Sequence, residues 1–442
     1  MSKTSEKKGL DISAKSFITA IGVIFVLMLL TYGLTFVIPG GGIPFWKWIA
    51  SPILVLGGED NVSLIAVLIF LLVIGGVFNC LDKCGLMKYM LDKITYRFGK
   101  ERYKLLAFVT LFFMAMGSFI GSFEECVPLV PIVVALAIRL GWDALVGMGM
   151  SLLAIGAGFA AGVCNPFTVG VAQEVAGLPM FSGMWFRLVS FVLVYMLLIL
   201  FLKNYAKRIE KPLDVKVVGG DFTANIKMDK GLACFVAIMV LGIVVVLSSV
   251  VVTVLQDYTM IIVAVTFLAA GISSCLVSGM GRYMGQCFWY GLTSVLPAVL
   301  MILLANSIKF TLVEGNILDT ILAVAVATAA SLPKWAVILF IYLIVLIMNF
   351  FISSGSAKAF LLMPLIVPVA TAFGISSQLC VVAYAFGDGF SNVFYPTNPV
   401  LLISLGLADV DYGKWVKWSW KFQVLNILLT SGILMFGLLI SY

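Results

Sequence analysis

The sequence predicts an all-α polytopic membrane protein made of two inverted repeats, each with a re-entrant helical hairpin and a broken transmembrane helix. Composition gives the first support: of 442 residues, 62% are hydrophobic and 11% are charged, and the mean hydropathy is +1.15. Such values exclude an ordinary soluble domain. The second support is a series of membrane-length apolar runs. The third is a pattern of helix breakers and polar residues that occurs once in each half.

The apolar runs extend along the whole chain and have the length that a transmembrane helix needs. Four lysines precede the first run, as they would in a signal peptide. That run is too long for a signal peptide, however, and no small-residue cleavage site precedes Pro39. We therefore expect a retained first helix with its amino terminus in the cytoplasm. The candidate spans are Ser16–Ile38, Val62–Leu81, Trp185–Leu202, Leu232–Leu255, Tyr258–Val277 and Phe422–Leu439.

The basic residues are distributed as in a membrane topology rather than as in a nucleic-acid-binding surface. With the amino terminus inside, 23 of the 28 Lys and Arg residues fall on the cytoplasmic side, although the net charge is only +7. Four fall outside, and Lys358 lies within the membrane. This asymmetry follows the positive-inside rule. We therefore expect a multi-pass protein of the bacterial cytoplasmic (inner) membrane, and no nucleic-acid partner.

The second half repeats the motifs of the first half after 230 to 234 residues. In each half a Gly-Ser motif is followed by an Asn-Pro pair and then by Gly-x-Trp-x-Arg or Gly-x-Trp-x-Lys. So regular a spacing indicates a duplication. The first copy contains Gly121–Glu125, Asn165-Pro166 and Gly183–Arg187, and the second contains Gly355–Ala359, Asn398-Pro399 and Gly413–Lys417.

The duplication predicts five regions along the chain. A tail, first helix and outer loop (1–61) precede the first repeat (62–202). A cytoplasmic connector (203–230) and linking helices (231–286) lead to the second repeat (287–442). Each repeat is expected to contain a helix, a surface-lying arm, a hairpin, a broken helix and a further helix.

Length and helix breakers predict the hairpins. Leu105–Ile138 is too long for one crossing and is interrupted at Gly117-Ser118 and at Gly121–Glu125. Two half-length helices that meet at a polar tip fit it better than one span. Trp335–Phe373 has the same character, with its tip at Ser353–Ser356. With the amino terminus in the cytoplasm, the first hairpin enters the membrane from the cytoplasm and the second from outside. The two copies are therefore inverted relative to each other. This is typical of secondary transporters.

Proline residues predict the two broken helices. Ala144–Ala176 is interrupted at Asn165–Thr168, and Leu379–Leu407 at Tyr395–Pro399. Pro166, Pro396 and Pro399 free backbone carbonyls that can coordinate a cation, while half-helix N-termini favour a carboxylate. Proline kinks satisfied by neighbouring helices are the simpler alternative. The coupling ion is expected to be Na⁺ or H⁺; proton coupling would run through carboxylates. The residues expected to hold a coupling ion such as Na⁺ are Ser118, Ser122, Asn165, Thr168, Ser353, Thr397 and Asn398.

Four ionisable residues are expected inside the membrane: Glu124, Glu125, Lys358 and Asp388. Even low estimates put one charge at the bilayer centre at roughly 2.5–3.5 kcal/mol, so a set of four implies a function. Salt bridges that tie the hairpins to the rest of the protein, such as Lys358 with Asp388, are the structural alternative. The two tips differ in charge, because Glu124 and Glu125 lie on one and Lys358 on the other.

The motifs resemble those of the YfcC family, a DcuC-like branch of the ion transporter superfamily. The resemblance covers residues 15 to 430 and is most specific at Phe386–Asn392 and Tyr395–Pro399. It implies an elevator-type carrier, with a homodimeric scaffold and a transport domain that holds Leu105–Ala176 and Trp335–Leu407. It also implies amphipathic arms at Met87–Phe98 and Ile317–Ala330.

The resemblance allows two substrate classes, four-carbon dicarboxylates and basic amino acids. Glu124, Glu125 and Asp388 would repel a dicarboxylate but could bind amino groups, while Lys358 could bind a carboxylate. Arginine/ornithine-type exchange is therefore the preferred hypothesis, and a dicarboxylate carrier coupled to Na⁺ or H⁺ is the alternative. The expected substrate-binding residues are Ser122, Glu124, Glu125, Asn165, Ser354, Ser356, Lys358, Asp388, Asn392, Thr397 and Asn398.

Other classes fit the sequence less well. An intramembrane aspartyl protease needs a second aspartate and a glycine where Ala385 stands, so we expect no enzyme and no catalytic residues. A channel would repeat one filter around an axis, whereas these two tips differ in charge. With eight scattered cysteines and no histidine, no metal site is expected, and no cofactor beyond the coupling ion.

Overall fold

The structure, a computed structural model, describes residues 14–37, 42–57, 61–98, 101–121, 123–212, 225–248, 259–279, 281–329 and 331–442. Within these ranges every regular element is helical. The helices are α1 (Ala14–Val37), α2 (Phe45–Leu54), α3 (Asn61–Lys83), α4 (Leu86–Phe98), α5 (Arg102–Ala115), α6 (Val130–Arg139), α7 (Ala144–Met148), α8 (Ala154–Ala161), α9 (Val171–Val175), α10 (Met184–Ile209), α11 (Ile226–Ser248), α12 (Thr259–Val277), α13 (Met284–Ser294), α14 (Leu296–Glu314), α15 (Ile317–Ala329), α16 (Lys334–Phe351), α17 (Gly355–Ala372), α18 (Ser377–Asn392), α19 (Pro399–Ala408) and α20 (Tyr412–Leu439).

Several of these helices are long and apolar enough to cross a membrane. The described part of the chain contains six such segments, and a seventh if α3 and α4, which meet at 73°, are counted as one span. This confirms the prediction of a nearly all-helical, multi-pass membrane protein. The six segments are Arg102–Ile120, Ala144–Val175, Met184–Ile209, Lys334–Phe351, Gly355–Ala372 and Tyr412–Leu439.

The two helices that the sequence predicts to be broken lie at the centre of the protein. In the most apolar stretch of Ala144–Val175, 94% of the residues are buried. In the corresponding stretches of the other five segments, between 33% and 50% of the residues are buried. In α18 all residues from Leu379 to Asn392 are buried. Helices that are apolar all round and covered by protein form a core, while half-covered helices leave an apolar face for lipid.

Small residues let the central helices approach closely. A Cβ atom on Gly389 of α18 would lie 2.2 Å from the backbone nitrogen of Ala160 in α8. A Cβ atom on Gly158 would lie 1.9 Å from the carbonyl oxygen of Met114 in α5. Contacts this close exclude any side chain, as at the small-residue interfaces of other membrane helices. The crossing of α8 and α18 therefore depends on glycine.

The helices end at the hairpin tips that the sequence predicts. Most arms of the hairpins, however, are longer than half of a membrane crossing. Residues 352–354 alone separate α16 from α17, and each of these helices has 18 residues. An 18-residue helix is about 27 Å long, close to the thickness of a bilayer core. The first hairpin is less regular. Its first arm continues as a π-helical turn to Ile120, and its second begins as a 3₁₀ helix at Glu124–Leu129.

The remaining elements follow the same order in both halves. A helix (α3 or α14) leads to a short helix (α4 or α15), a hairpin, a helix interrupted in its middle, and a long helix (α10 or α20). Helix α10 extends to Ile209 and α11 starts at Ile226, so both ends of the predicted connector 203–230 are helical. Residues 213–224 of that connector lie outside the described ranges.

Candidate functional site

A buried ion pair lies between the second hairpin and the second broken helix. Lys358, in the first turn of α17, places its Nζ 2.5 Å from Oδ1 of Asp388 in α18. Both side chains are 0% exposed. An isolated buried charge is strongly unfavourable, and each of these two charges compensates the other. The pair that the sequence offered as a structural alternative is therefore present.

Asn349 of α16 connects this pair to the end of α18. Its Oδ1 accepts a hydrogen bond from the Lys358 ammonium. Its Nδ2 lies 2.9 Å from the carbonyl oxygen of Asp388, 2.6 Å from Ser391 Oγ and 2.9 Å from Asn392 Oδ1. Sequence reasoning missed Asn349. The available signal was that it is the one amide side chain in an otherwise apolar hairpin arm.

The second break, residues 393–398, separates α18 from α19. Asn398 caps α19, because its Oδ1 accepts a hydrogen bond from the Val400 amide at 2.9 Å, and Pro399 occupies the first helical position. Asn398 Nδ2 donates to Asn392 Oδ1 at 3.0 Å. The Asn-Pro pair is thus the start signal of a half-helix, and its asparagine joins the polar cluster around Asn349.

The first break, residues 162–165, has the same chemistry. Oδ1 of Asn165 accepts hydrogen bonds from the amides of Phe167 at 2.9 Å and Thr168 at 3.3 Å, and Pro166 occupies the first position of the next helix. Ser118 of the first hairpin accepts the Val163 amide through its Oγ at 3.0 Å. The tip region of the first hairpin therefore packs on the first break.

A buried arginine that was not among the predicted site residues also holds the first break. Arg187 of α10 is 0% exposed. Its guanidinium donates to the carbonyl oxygens of Val163 at 3.2 Å, Ser182 at 3.0 Å and Phe181 at 3.3 Å. Val163 lies in the first break, so the guanidinium supplies its carbonyl with a donor that a continuous helix would provide, while the other two bonds hold the segment just before α10. The Gly-x-Trp-x-Arg motif was the signal for this role.

The two broken helices and the second hairpin converge at Gly355. A Cβ atom on Gly355 would lie 2.6 Å from Thr168 Cγ2 and 3.0 Å from Asp388 Oδ2. Next to it, Ser356 Oγ donates to the Phe167 carbonyl oxygen at 2.9 Å. The Tyr384 hydroxyl donates to the Gly355 carbonyl. The second hairpin tip therefore contacts residues that are about 190 positions away in the sequence.

Four side-chain atoms on the two broken helices are buried without a hydrogen-bond partner among the described residues. They are Asn165 Nδ2, Thr168 Oγ1, Thr397 Oγ1 and Asp388 Oδ2. A buried unsatisfied polar group costs about 1–3 kcal/mol, so several in one region indicate a place for a ligand or water. Asn165 Nδ2 can only donate and Asp388 Oδ2 can only accept, whereas the hydroxyls can do either.

The structure brings together most of the residues that the sequence proposed. Asn165, Thr168, Ser356, Lys358, Asp388, Asn392 and Asn398 belong to this connected region. Ser354 caps α17 through a 3.4 Å hydrogen bond from the Ala357 amide. Ser122 lies outside the described residues, as do the side chains of Glu124 and Glu125, so their roles remain predictions. The described members of the region are largely buried.

A polytopic helical protein with a polar centre at two helix breaks is a membrane transporter in architecture. Residues 51–439 match the DcuC family of C4-dicarboxylate anaerobic carriers, and the chain belongs to this transporter family rather than to an enzyme family. The chain is 30% identical over 407 residues to the "Putative basic amino acid antiporter YfcC" of Escherichia coli K12, with 87% of this chain and 80% of that protein aligned.

Two further proteins align with most of the chain. An uncharacterized protein of Haemophilus influenzae is 26% identical over 380 residues, which cover 81% of this chain and 72% of that protein. The crystal structure of the YdaH transporter of Alcanivorax borkumensis aligns with 96% of this chain and 99% of its own, with 18% identity and a TM-score of 0.49.

Proposed function

We propose that this protein is a secondary carrier for an amino acid with a basic side chain, of the arginine/ornithine exchange type. The observation that carries the proposal is the opposite polarity of the unsatisfied atoms. Asp388 Oδ2 offers a buried acceptor for an amino group, and Asn165 Nδ2 offers a buried donor for a carboxylate. An amino acid has both groups, and a ligand that satisfies both buried atoms gains the free energy otherwise lost by leaving them unpaired.

The alternative substrate, a four-carbon dicarboxylate, has support in the name of the family. The charges around the Lys358–Asp388 pair, however, favour a dicarboxylate less than they favour an amino acid. The Lys358 ammonium is already compensated by Asp388, and no second buried cation contacts this pair within the described part of the chain. Two further carboxylates beside Asp388 would bring like charges together in a buried site. The name of the Escherichia coli relative supports the amino-acid proposal.

We further propose an elevator mechanism in a homodimer, with the two copies inverted and the amino terminus in the cytoplasm. The equal order of elements in the two halves supports the repeat. The partly uncovered apolar faces around a fully covered centre support a transport domain that moves against a scaffold. Thr168 and Thr397 hydroxyls are candidate ligands for Na⁺, and proton coupling is the competing proposal.

Counterflow in proteoliposomes tests the substrate class. Vesicles loaded with unlabelled arginine should take up labelled arginine and ornithine, and excess succinate or fumarate should have no effect. The same panel with and without a sodium gradient separates Na⁺ coupling from exchange alone. Succinate uptake that excess arginine does not reduce would refute the amino-acid proposal and favour the dicarboxylate alternative.

A further inference from the structure

The Lys358–Asp388 pair has unequal surroundings on its two sides. Besides Asp388, the Lys358 ammonium donates to Asn349 Oδ1 and, at 3.0 Å, to the carbonyl oxygen of Ile352. Both of these acceptors belong to the same hairpin as Lys358. The ammonium would thus keep two hydrogen bonds if Asp388 were occupied by another group.

Asp388 depends more strongly on Lys358. Its Oδ1 contacts the Lys358 ammonium, and its Oδ2 has no hydrogen-bond partner in the described ranges. Oδ2 lies beside Gly355, where the lack of a side chain leaves Thr168 and Asp388 close to the hairpin backbone. A cationic group that reached Oδ2 would compete with Lys358 for one carboxylate.

We propose that the α-amino acid head group of the substrate binds by separating this ion pair. The substrate amino group takes the place of Lys358 at Asp388, and the substrate carboxylate compensates the displaced ammonium. No bond is made or broken, and no proton is transferred. The inference rests on the proposed function, since it requires an amino-acid substrate.

Charge balance is the physical reason for this arrangement. The ion pair by itself is neutral, and a zwitterionic head group inserted between Lys358 and Asp388 leaves the site neutral. A ligand with only one of the two groups would leave a buried charge uncompensated, which is strongly unfavourable. The pair therefore selects for amino and carboxylate groups on the same ligand, independently of the substrate side chain.

A ligand series on the wild-type protein tests this inference without any substitution. Arginine, agmatine, which lacks the carboxylate, and 5-guanidinopentanoate, which lacks the amino group, are titrated calorimetrically into the full-length protein in lipid nanodiscs. Arginine should bind about 30-fold or more tightly than either analogue, because each analogue leaves one buried charge unpaired. Equal affinity for arginine and agmatine would overturn the inference. Binding of succinate but of none of the three would instead overturn the proposed substrate class, and the inference with it.

Substitution of the lysine gives a second, independent readout. Lys358→Met should reverse the preference, so that agmatine binds more tightly than arginine, because Asp388 then lacks its internal partner. Lys358→Arg should retain the wild-type preference. The double variant Lys358→Met with Asp388→Asn should bind both ligands weakly, because neither partner of the ion pair is left, with folding verified by size-exclusion chromatography. A Lys358→Met protein that still prefers arginine would show that the lysine is only structural. Should that variant not fold, the wild-type ligand series decides the inference.

Discussion

Single side chains hold the unwound backbone at the centre of this transporter. Asn165 and Asn398 cap the half-helices that follow the two breaks, and Arg187 donates to carbonyls that have no helical partner. Each replaces a hydrogen bond that the break removes, which lipid cannot supply. Arg187 donates to one carbonyl of the first break, that of Val163, and to the carbonyls of Phe181 and Ser182 just before α10, so the effect of removing it should be large.

Arg187→Met should lower counterflow about tenfold or more and reduce the melting temperature, since each carbonyl left unsatisfied costs roughly 1–3 kcal/mol. Thermal unfolding in detergent and proteoliposome counterflow measure the two effects. Arg208→Met is the matched control, because Arg208 is exposed at the other end of the same helix. Equal melting temperatures and equal counterflow rates for Arg187→Met and Arg208→Met would exclude a role for Arg187 in holding the break.

At the scale of helices, the crossing of α8 and α18 sets the geometry of the site. Gly389 lies in direct contact with the backbone of Ala160, one residue from Asp388. The crossing thus fixes the distance between the first broken helix, which contains Asn165, and Asp388 on the second. The backbone of α18 is ordinary helix at this position, so glycine is not needed here for an unusual φ angle. It is needed because it has no side chain.

Gly389→Ala should destabilise the protein by about 1–3 kcal/mol and abolish most transport, because the added Cβ would lie 2.2 Å from a backbone nitrogen. Unfolding in denaturant and counterflow are the measurements. Gly432→Ala on α20, where a Cβ would meet nothing within 4 Å, is the control. A Gly389→Ala protein with the stability and counterflow rate of the wild type would contradict the close crossing of α8 and α18.

The whole molecule combines a covered centre with a partly uncovered surface. The segment Ala144–Val175 is almost entirely buried, whereas only 33% and 39% of the residues are buried in the most apolar stretches of Gly355–Ala372 and Tyr412–Leu439. Charge asymmetry predicts how this assembly is oriented. Lys47 belongs to the predicted outer side, and Lys207 to the predicted cytoplasmic side.

Cysteine labelling tests that orientation. In a background without the eight native cysteines, Lys47→Cys should react with a membrane-impermeant maleimide in intact cells. Lys207→Cys, which is exposed at the end of α10, should react only after permeabilisation. The reverse pattern would place the amino terminus outside, and the two hairpins would then enter from the sides opposite to those proposed.

Much of the architecture was predictable because its signals are local. Apolar runs of membrane length predicted the helices, and Pro166 and Pro399 predicted where half-helices begin, since proline favours the first position of a helix. The same local rules underestimated the length of the hairpin arms. They did not show that three residues suffice for the second tip and leave 18 for each of α16 and α17.

The sequence by itself determined that the chain is a multi-pass helical protein with two internal breaks and buried charges, because hydropathy and proline act on neighbouring residues. Only the tertiary structure decided which polar groups meet. It selected the Lys358–Asp388 pair, which the sequence had offered only as an alternative, linked that pair to Asn392 through Asn349, and placed Gly355 against Thr168. These contacts join residues far apart in the chain, so they depend on how the helices cross. Those crossings are set by the glycine contacts at the centre of the protein.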